Sequence, residues 1–322
     1  MVGAACALFG CVAPAASSLE AGAPVAASRP DDGLPYDRWH QKSVHNAYDH
    51  MDSIGDQLRV HGFRSVEIDI HEGKLGAASI EADWWVYHVA IPGFDDSSCA
   101  TLSACLEQID AYHREVPEHD VLTVFIDVKD ELEAAGHRPR ELDARVRASL
   151  AAGALFEPRD MLRRCPKASS LRDAVAGSCS WPTLGELRGR VLVVLTGGDV
   201  CSRDARLSTY LGEHPDERAA FVAPRISETC DVASQARSGE VVFFNLDGDS
   251  FHQARTIGRA HLVSRGFGGG WRGGIDDHEQ WVDALEAGVN ILATDRIDAE
   301  RDPWTNGFAP PPPRPARNVA GR

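Results

Sequence analysis

The 322-residue sequence predicts an α/β fold of the (β/α)8, TIM-like barrel class, and two observations lead to this prediction. Between residues 39 and 298, eight short runs rich in β-branched and aromatic residues alternate with stretches of helical periodicity. An alternation of this kind over about 260 residues is typical of one large parallel barrel. Because helical patterns lie between most of the strands but not all of them, we expect an irregular barrel.

The predicted elements follow one another in short segments. Asp276 and Asp277 precede the last helical pattern and are residue types that commonly cap a helix N-terminus. The predicted strands span residues 43–48, 65–70, 85–89, 122–128, 191–196, 241–246, 261–265 and 290–294, and the predicted helices span residues 54–61, 102–115, 139–152, 183–187 and 278–287.

A doubly wound open sheet is the competing fold. Sheets of that class that bind dinucleotides carry a G-x-G-x-x-G turn after the first strand, and the first predicted strand here has none. The glycine-rich segment 266–274 comes late in the chain and has no predicted helix directly after its glycines. We therefore interpret this segment as a mobile loop and not as a phosphate-binding turn.

The N-terminal residues 1–35 read as a leader and linker. Residues 1–16 are apolar and uncharged, like the apolar part of a secretory signal that lacks its basic start. The stretch 8–11 resembles a lipoprotein processing site in which Cys11 would be acylated, and cleavage after the A-x-A stretch 13–16 is the alternative. Either reading predicts a protein that is secreted or attached to the cell envelope.

The remainder of the chain divides in two. Residues 36–300 contain the predicted barrel, and residues 301–322 form a proline-rich tail with little to bury. Outside the leader, no apolar run approaches the roughly 20 residues that a membrane span needs.

Cysteine usage agrees with an exported protein. Six cysteines remain after the leader, and their local spacing predicts three disulfides, although six cysteines allow 15 connectivities. Free thiols in a cytosolic protein are the alternative, which the export-like leader disfavours. Zinc is not expected because no CxxC spacing occurs. The predicted pairs are Cys99 with Cys105, Cys165 with Cys179, and Cys201 with Cys230.

The charge balance excludes one class of partner. Lys and Arg number 33 against 48 Asp and Glu, which gives a formal net charge of −15. A nucleic-acid partner is not expected, because the phosphate backbone is captured by a basic field. The surplus of carboxylates suits a cation-binding protein, which we expect to be a monomer.

Polar side chains end four consecutive predicted strands. In a barrel, catalytic residues collect at the C-terminal ends of the strands. Side chains two positions apart on a strand share a face, so Glu67, Asp69 and His71 point the same way. The other polar groups are His45 and Asn46 on the first strand, His88 on the third, and Asp127 and Lys129 on the fourth.

These oxygen-bearing side chains predict a site for a hard divalent cation. Two carboxylates on one face repel each other unless a cation or a proton intervenes. A structural histidine or a salt-bridged carboxylate explains each feature singly, but the joint pattern favours a site. Three carboxylates and one amide favour Ca2+, with Mg2+ as the second choice, over a soft metal. The predicted ligands are Asn46, Glu67, Asp69 and Asp127.

In their order, these motifs resemble the Ca2+-dependent bacterial branch of the phosphoinositide-specific phospholipase C superfamily, over about residues 39–298. The resemblance implies a phosphodiesterase barrel of the phospholipase C type that uses Ca2+ and acts on a phospholipid or inositol phosphodiester. Transient contact with a membrane surface is also implied. The motifs lie in residues 43–48, 66–69, 86–88, 126–129, 287–288 and 293–295.

The resemblance also implies roles for individual residues. His45 and His88 form the acid/base pair, and the calcium ligands are the four residues named above, with Asp127 where the family commonly has Glu. Lys129 occupies the place of a polar residue that meets the substrate phosphate. Residues 262–266 match an arginine-containing run only in part, which implicates Arg265 in substrate binding. Asp295 ends the last strand, which barrel closure places beside the first, so it is a candidate to orient His45, and capping of a C-terminal loop is the alternative.

The implied reaction is attack of the inositol 2-hydroxyl on the neighbouring phosphodiester, which yields a cyclic inositol phosphate and diacylglycerol. Histidines suit the two proton transfers near neutral pH. A glycerophosphodiester phosphodiesterase is the first alternative, but that family has H-R where this chain has His45 and Asn46. The second is a catalytically silent secreted barrel that binds phosphates or glycans, and the presence of both histidines and all four ligands argues against it.

Overall fold

The strands of a computed structural model form a nearly closed parallel barrel. The structure describes residues 31–91, 97–177, 179–201, 205–212, 217–227, 229–235, 239–268, 273–297 and 314–315. The strands are β1 (Trp39–Val44), β2 (Ser65–His71), β3 (Trp85–Val86), β4 (Leu122–Val128), β5 (Val191–Thr196), β6 (Phe221–Val222), β7 (Phe243–Leu246), β8 (Val263–Gly266), β9 (Ile291–Thr294) and β10 (Arg314–Pro315).

Eight of these strands build the barrel in the order β6-β5-β4-β2-β1-β9-β8-β7, with every neighbouring pair parallel. Between β6 and β7, the described residues form an isolated bridge between Arg225 and Asn245 in place of a ladder. The (β/α)8 class is therefore confirmed, and the irregularity lies at this last junction.

The third predicted strand is wrong as a barrel strand. Residues 85–86 form β3, which pairs antiparallel with the end of β2 and lies off the barrel path. The barrel still has eight strands because β6 belongs to it. The two residues of β6 are too few to show a strand periodicity in the sequence. An apolar run alone does not distinguish a hairpin strand from a barrel strand.

The first strand begins and ends earlier than predicted. It covers Trp39–Val44 because Asn46 adopts a left-handed conformation, with φ 46°, that ends the extended segment. Asparagine tolerates this conformation better than most residues. The consequence is that His45 and Asn46 follow the strand directly, at the mouth of the barrel.

Helices follow most of the strands. The predicted helix at residues 183–187 is wrong, because this short segment forms turns. Asp277 is the N-cap of the last helix, as predicted, whereas Asp276 is not a cap. The helices are α1 (Ile54–Arg59), α2 (Leu102–Glu115), α3 (Pro139–Ser149), α4 (Pro158–Arg164), α5 (Leu171–Ala176), α6 (Ala205–Leu211), α7 (Val232–Gln235), α8 (Ala254–Arg259) and α9 (His278–Ala287).

An aromatic cluster fills the N-terminal end of the barrel. The rings of Tyr36, Trp181, Phe221 and Phe243 pack together with centroids 5.3 to 6.3 Å apart. The Tyr36 hydroxyl lies 2.6 Å from the Thr123 hydroxyl inside the barrel. With this end closed by apolar packing, polar chemistry is confined to the opposite mouth, where the strands end.

The three predicted disulfides are confirmed. Cys99 bonds to Cys105, Cys165 to Cys179, and Cys201 to Cys230. They tie loops and short helices on the outside of the barrel. Among the described helices, none combines the length and apolar character that crossing a bilayer requires.

The two ends of the chain contribute little to the described structure. Residues 1–30, which include Cys11 and most of the predicted leader and linker, lie outside the described residues. In the predicted tail, Arg314 and Pro315 form β10, which pairs antiparallel with Trp39 and His40 of β1. This pairing adds a short strand to the N-terminal half of β1.

Candidate active site

Three carboxylates meet at the C-terminal ends of β2 and β4. The register of these strands sets Asp69 directly beside Asp127, and Glu67 lies two residues earlier on the same face of β2. One oxygen from each of the three lies within 4.8 Å of the others. Glu67 and Asp69 are 4% and 1% exposed, so the structure brings the predicted acidic ligands together inside the barrel mouth.

Two cations of the chain itself neutralise part of this acidic cluster. The Lys129 ammonium lies 3.0 Å from Asp69 Oδ2 and also contacts Asp127 Oδ2. The Arg265 guanidinium lies 2.7 Å from Glu67 Oε2 and donates a hydrogen bond to Asn245 Oδ1 at 3.0 Å. Both residues predicted to bind substrate therefore contact the acids in this structure.

Burial and charge oppose each other within the cluster. Burial by itself raises the pKa of Asp69, but the Lys129 ammonium lowers it below the ordinary value. The pKa of Asp127 is raised, first by burial and then by the charges of Asp69 and Glu67. Burial would lower the pKa of Lys129, yet the two aspartates hold it above its usual range. The Lys129 side chain therefore stays protonated and positively charged in this site.

The cluster fits a hard divalent cation. Asp69 Oδ1 is buried and has no hydrogen-bond partner among the described residues, which is a costly state for a carboxylate oxygen. Asn46 lies beside the acids, since its backbone N–H donates to Glu67 Oε2 at 3.4 Å. Three carboxylates and an amide are oxygen donors of the kind that Ca2+ takes.

His45 is held by a carboxylate on the neighbouring strand. Its Nδ1 lies 2.8 Å from Asp295 Oδ1, and its Nε2 lies 3.6 Å from Glu67 Oε2. Burial lowers the pKa of His45, but the charges of Glu67 and Asp295 outweigh burial and raise it. The parallel pairing of β1 with β9 brings Asp295 and His45 together.

His88 approaches the same acids from the hairpin. Its Nδ1 lies 3.3 Å from Asp69 Oδ2 and 3.3 Å from Asn46 Nδ2. Its side chain is 37% exposed, whereas that of His45 is 10% exposed. The antiparallel turn into β3 accounts for this position, because it directs the chain back over the end of β2. Both predicted histidines thus border one acidic cluster.

Asp276 and Gly273 are part of the site, and the sequence reasoning did not assign them to it. Asp276 Oδ1 accepts hydrogen bonds from the Asp295 backbone N–H and the Thr294 hydroxyl, both at 2.9 Å. It therefore fixes the end of β9 and, through Asp295, the His45 ring. A Cβ on Gly273 would lie 2.6 Å from His45 Nε2, and its φ of +74° independently favours glycine.

The glycine-rich segment is partly described. Residues 269–272, including Trp271, lie outside the described residues, so the predicted mobile loop is described only at its two ends. At these ends, the Gly268 N–H donates to the Gly273 carbonyl at 2.7 Å. An excess of glycine beside a predicted site was the available sequence signal that backbone would approach a side chain closely here.

His71 lies at the edge of the cluster and not within it. Its ring stacks on Tyr87 with centroids 3.9 Å apart, and its Nδ1 is 3.7 Å from Asp130 Oδ2. Asp130 also accepts a hydrogen bond from the Glu72 N–H at 2.8 Å. These contacts give His71 a structural place at the end of β2.

Residues 81–238 match the model of the family described as "Phosphoinositide phospholipase C, Ca2+-dependent". His88, Asp127 and Lys129 lie within the matched segment, while His45 and the first acidic ligands precede it. A search of the curated proteins finds no match.

Two solved structures have the same barrel. A calcium-dependent phosphoinositol-specific phospholipase C from Pseudomonas sp, described as a myoinositol complex, is 22% identical with a TM-score of 0.73, over 88% of this chain and 96% of that chain. A Ca2+-dependent phosphatidylinositol-specific phospholipase C from Streptomyces antibioticus is 20% identical with a TM-score of 0.67, over 87% and 99% of the two chains. At these identities the likeness establishes the fold.

Proposed function

We propose that this chain, whose residues 81–238 match the Ca2+-dependent phosphoinositide phospholipase C family model, cleaves phosphatidylinositol to a cyclic inositol phosphate and diacylglycerol. One observation carries the proposal. His45 and His88 border a single cluster of three carboxylates at the mouth of the barrel. The histidines for proton transfer and the carboxylates for cation binding therefore lie side by side.

His45 is the proposed general base. Asp295 accepts the Nδ1–H hydrogen bond, which leaves the Nε2 lone pair to take the proton of the attacking 2-hydroxyl. Asp276 supports this arrangement, because it holds the Asp295 backbone in place. In carboxylate–histidine pairs of this kind, the carboxylate fixes the tautomer and the orientation of the imidazole ring, and we propose this role for Asp295.

His88 is the proposed general acid. Its more exposed ring contacts Asp69 Oδ2, the oxygen that Lys129 also contacts, and lies close to solvent, where a leaving diacylglycerol oxygen could receive a proton. Histidine suits this transfer because its ordinary pKa lies near neutrality. The two histidines would exchange protons with different oxygens of one phosphodiester.

Asn46, Glu67, Asp69 and Asp127 are the proposed ligands of Ca2+, the cation on which this family depends. When bound, Ca2+ would lower the pKa of the attacking hydroxyl and stabilise negative charge on the phosphoryl oxygens. Lys129 remains the proposed contact for substrate phosphate, since its side chain is 26% exposed. Arg265 is 1% exposed and pairs with Glu67. Its proposed role is to hold Glu67 in position and to support substrate binding.

Transient contact with a membrane surface is part of the proposal. Met51, Leu75 and Ile91 are exposed apolar residues in the segments that follow β1, β2 and β3. Apolar side chains at such positions can enter the headgroup region of a bilayer. Of the two tryptophans at the start of β3, Trp84 is buried, and Trp85 donates its indole N–H to the Ala78 carbonyl.

We also propose that the protein is exported and works as a monomer. Three disulfides are compatible with an oxidising, extracellular compartment. The choice between lipidation of Cys11 and simple signal cleavage would follow from the mass of the mature N-terminus.

The test is product analysis with matched substrates. Purified protein would be given phosphatidylinositol or glycerophosphoinositol, each with Ca2+ or with excess chelator, and the products followed by phosphorus NMR. We expect a cyclic inositol phosphate from phosphatidylinositol in the presence of Ca2+ only. Release of glycerol 3-phosphate would instead identify a glycerophosphodiester phosphodiesterase, and binding without turnover would identify a silent barrel.

A further inference from the structure

Lys129 contacts two of the four proposed calcium ligands. Its ammonium contacts both Asp69 Oδ2, at 3.0 Å, and Asp127 Oδ2. Its backbone N–H donates to the Ile70 carbonyl at 3.1 Å, which fixes the root of the side chain against the end of β2. The pairing of β2 with β4 therefore positions Lys129 against these carboxylates.

A divalent cation held by these carboxylates would lie beside the oxygens that Lys129 now contacts. An ammonium and a calcium ion repel each other strongly at the separations found within one ligand shell. Asp69 Oδ1, the buried oxygen without a partner, shows that the ammonium satisfies this carboxylate only in part. Lysine and calcium are therefore alternatives at Asp69 and Asp127.

We propose that Lys129 is an internal competitor of calcium, which neutralises Asp69 and Asp127 in the metal-free protein and leaves them when Ca2+ binds. The inference rests on the proposed function, because it takes the calcium site from there. It adds a consequence: metal binding would release the ammonium toward the place where Lys129 is proposed to meet substrate phosphate. Calcium loading and phosphate capture would then be coupled through one side chain.

The two internal cations differ in their freedom to move. Arg265 is 1% exposed, is hydrogen-bonded to Asn245, and lies with its guanidinium 4.9 Å from the centre of the Phe125 ring. Lys129 has a 26% exposed side chain on a flexible four-carbon stem. The three negative carboxylates are balanced by the Arg265 guanidinium together with one divalent ion. The Lys129 ammonium would add an unbalanced positive charge, so the site is neutral only when it leaves.

Calcium titrations of charge-altering variants test the proposal. Lys129→Met removes the competing charge, so we expect Ca2+ to bind about 5- to 150-fold more tightly than to wild type, the usual range of coupling between two ligands. Lys129→Arg keeps a positive charge and is not expected to tighten binding. Lys74→Met is the matched control, because the Lys74 ammonium lies over the Trp85 and Tyr87 rings, 6.0 and 5.8 Å from their centres. Calorimetry on chelator-treated full-length protein at constant pH gives the affinities.

Labelling of the unaltered protein provides a second measurement that does not depend on how a variant folds. If Ca2+ displaces the ammonium, the rate at which an amine reagent modifies Lys129, read by mass spectrometry, should rise severalfold on adding Ca2+. The rate at Lys74 should stay unchanged. An unchanged or slower rate at Lys129 would overturn the displacement.

The outcomes separate this inference from the proposed function. Equal or weaker Ca2+ binding by Lys129→Met overturns the competition even if wild type hydrolyses phosphatidylinositol. Tighter binding by Lys129→Met supports it even if no variant hydrolyses that lipid, in which case the proposed substrate fails alone. No Ca2+ binding by any variant overturns both.

Discussion

Asp295 at the end of β9 and His45 after β1 form a carboxylate–imidazole pair, with 2.8 Å between Oδ1 and Nδ1. The carboxylate accepts the Nδ1–H and so leaves Nε2 as the basic nitrogen. Asp295→Asn can donate to Nδ1 instead and would favour the tautomer in which Nε2 carries the proton. We expect kcat on phosphatidylinositol to fall by about 10² to 10⁴, with a much smaller change in KM.

The control for that variant is Asp52→Asn. Asp52 is a half-exposed carboxylate that pairs with His61 on the outside of the protein. Its replacement should leave kcat within a factor of about two, as is usual for surface changes. A folded Asp295→Asn protein with wild-type kcat would mean that the pair does not orient the base.

His45 and His88 should act as one unit in turnover. Either residue changed to Ala should lower kcat by about 10² to 10⁴, the usual contribution of a positioned acid or base. The double variant should be far less impaired than the product of the single effects, because residues that share one step are not additive. Steady-state kinetics with matched circular dichroism spectra provides the measurement.

The structure also selects the histidine controls. His61 pairs with Asp52 away from the site, so His61→Ala should retain turnover. His50 is unsuitable, because its Nε2 lies 3.1 Å from the His45 carbonyl and its loss would disturb the backbone at His45. Hydrolysis at a near wild-type rate by folded His45→Ala would refute the acid/base assignment.

Metal removal should abolish activity, and Asp69 should dominate metal binding. Chelation is expected to stop phosphatidylinositol hydrolysis, and Ca2+ should restore it better than Zn2+, because the ligands are oxygens. Asp69→Asn should weaken Ca2+ binding by about tenfold or more, since it removes a charge at the most buried ligand. Asp249→Asn, which changes an exposed carboxylate in the short 3-10 helix Gly248–Gln253, should not weaken it. Full activity in excess chelator would contradict the metal site.

The sequence predicted the elements that carry strong local patterns. The bounds of β4, β5, α2 and α9 agree with the predictions, because each has a sustained apolar period or a clear cap. The two-residue strand β6 gave no such pattern, and the run at residues 85–89 gave one that a hairpin satisfies equally well. Short elements are decided by tertiary pairing, which a local pattern does not contain.

The same limit explains what was missed in the site. Strand alternation and barrel order were enough to bring Glu67 and Asp69 to one face and Asp295 to His45. Asp276 looked like a helix cap because it precedes Asp277, the residue that does cap α9. Its actual partners, Asp295 and Thr294, lie far from it in sequence, so no local rule could assign them.

Asp143 should make stability fall as the pH rises. It is buried and accepts hydrogen bonds from the Tyr210 hydroxyl at 2.6 Å and the Ala219 N–H at 2.9 Å. Burial raises its pKa to about 6. A carboxyl whose folded pKa is raised contributes stability below its unfolded pKa, and this is lost as the pH rises through about 6.

Asp143→Asn keeps the acceptor oxygen and removes the titration. Its free energy of unfolding relative to wild type should therefore increase between pH 4 and pH 8, by about 3 kcal/mol for a shift of about two pKa units. Urea unfolding at both pH values measures the change. Parallel curves for the two proteins would show that Asp143 is not perturbed by burial.

His119 should have the opposite effect and make the protein acid-sensitive. Its Nδ1 lies 2.7 Å from the Asp120 carbonyl, which can only accept, so Nδ1 carries a hydrogen and Nε2 accepts from His113 Nδ1 at 3.0 Å. Burial lowers the pKa of His119, and a proton on Nε2 would set two N–H groups against each other. A histidine with a lowered folded pKa contributes stability above its unfolded pKa of about 6.5, and this is lost as the pH falls toward the folded value.

The free energy of unfolding of the wild type should thus drop more steeply from pH 7 to pH 5 than that of His119→Gln. The exposed His252→Gln variant should follow the wild type. Identical slopes for wild type and His119→Gln would contradict the buried neutral imidazole.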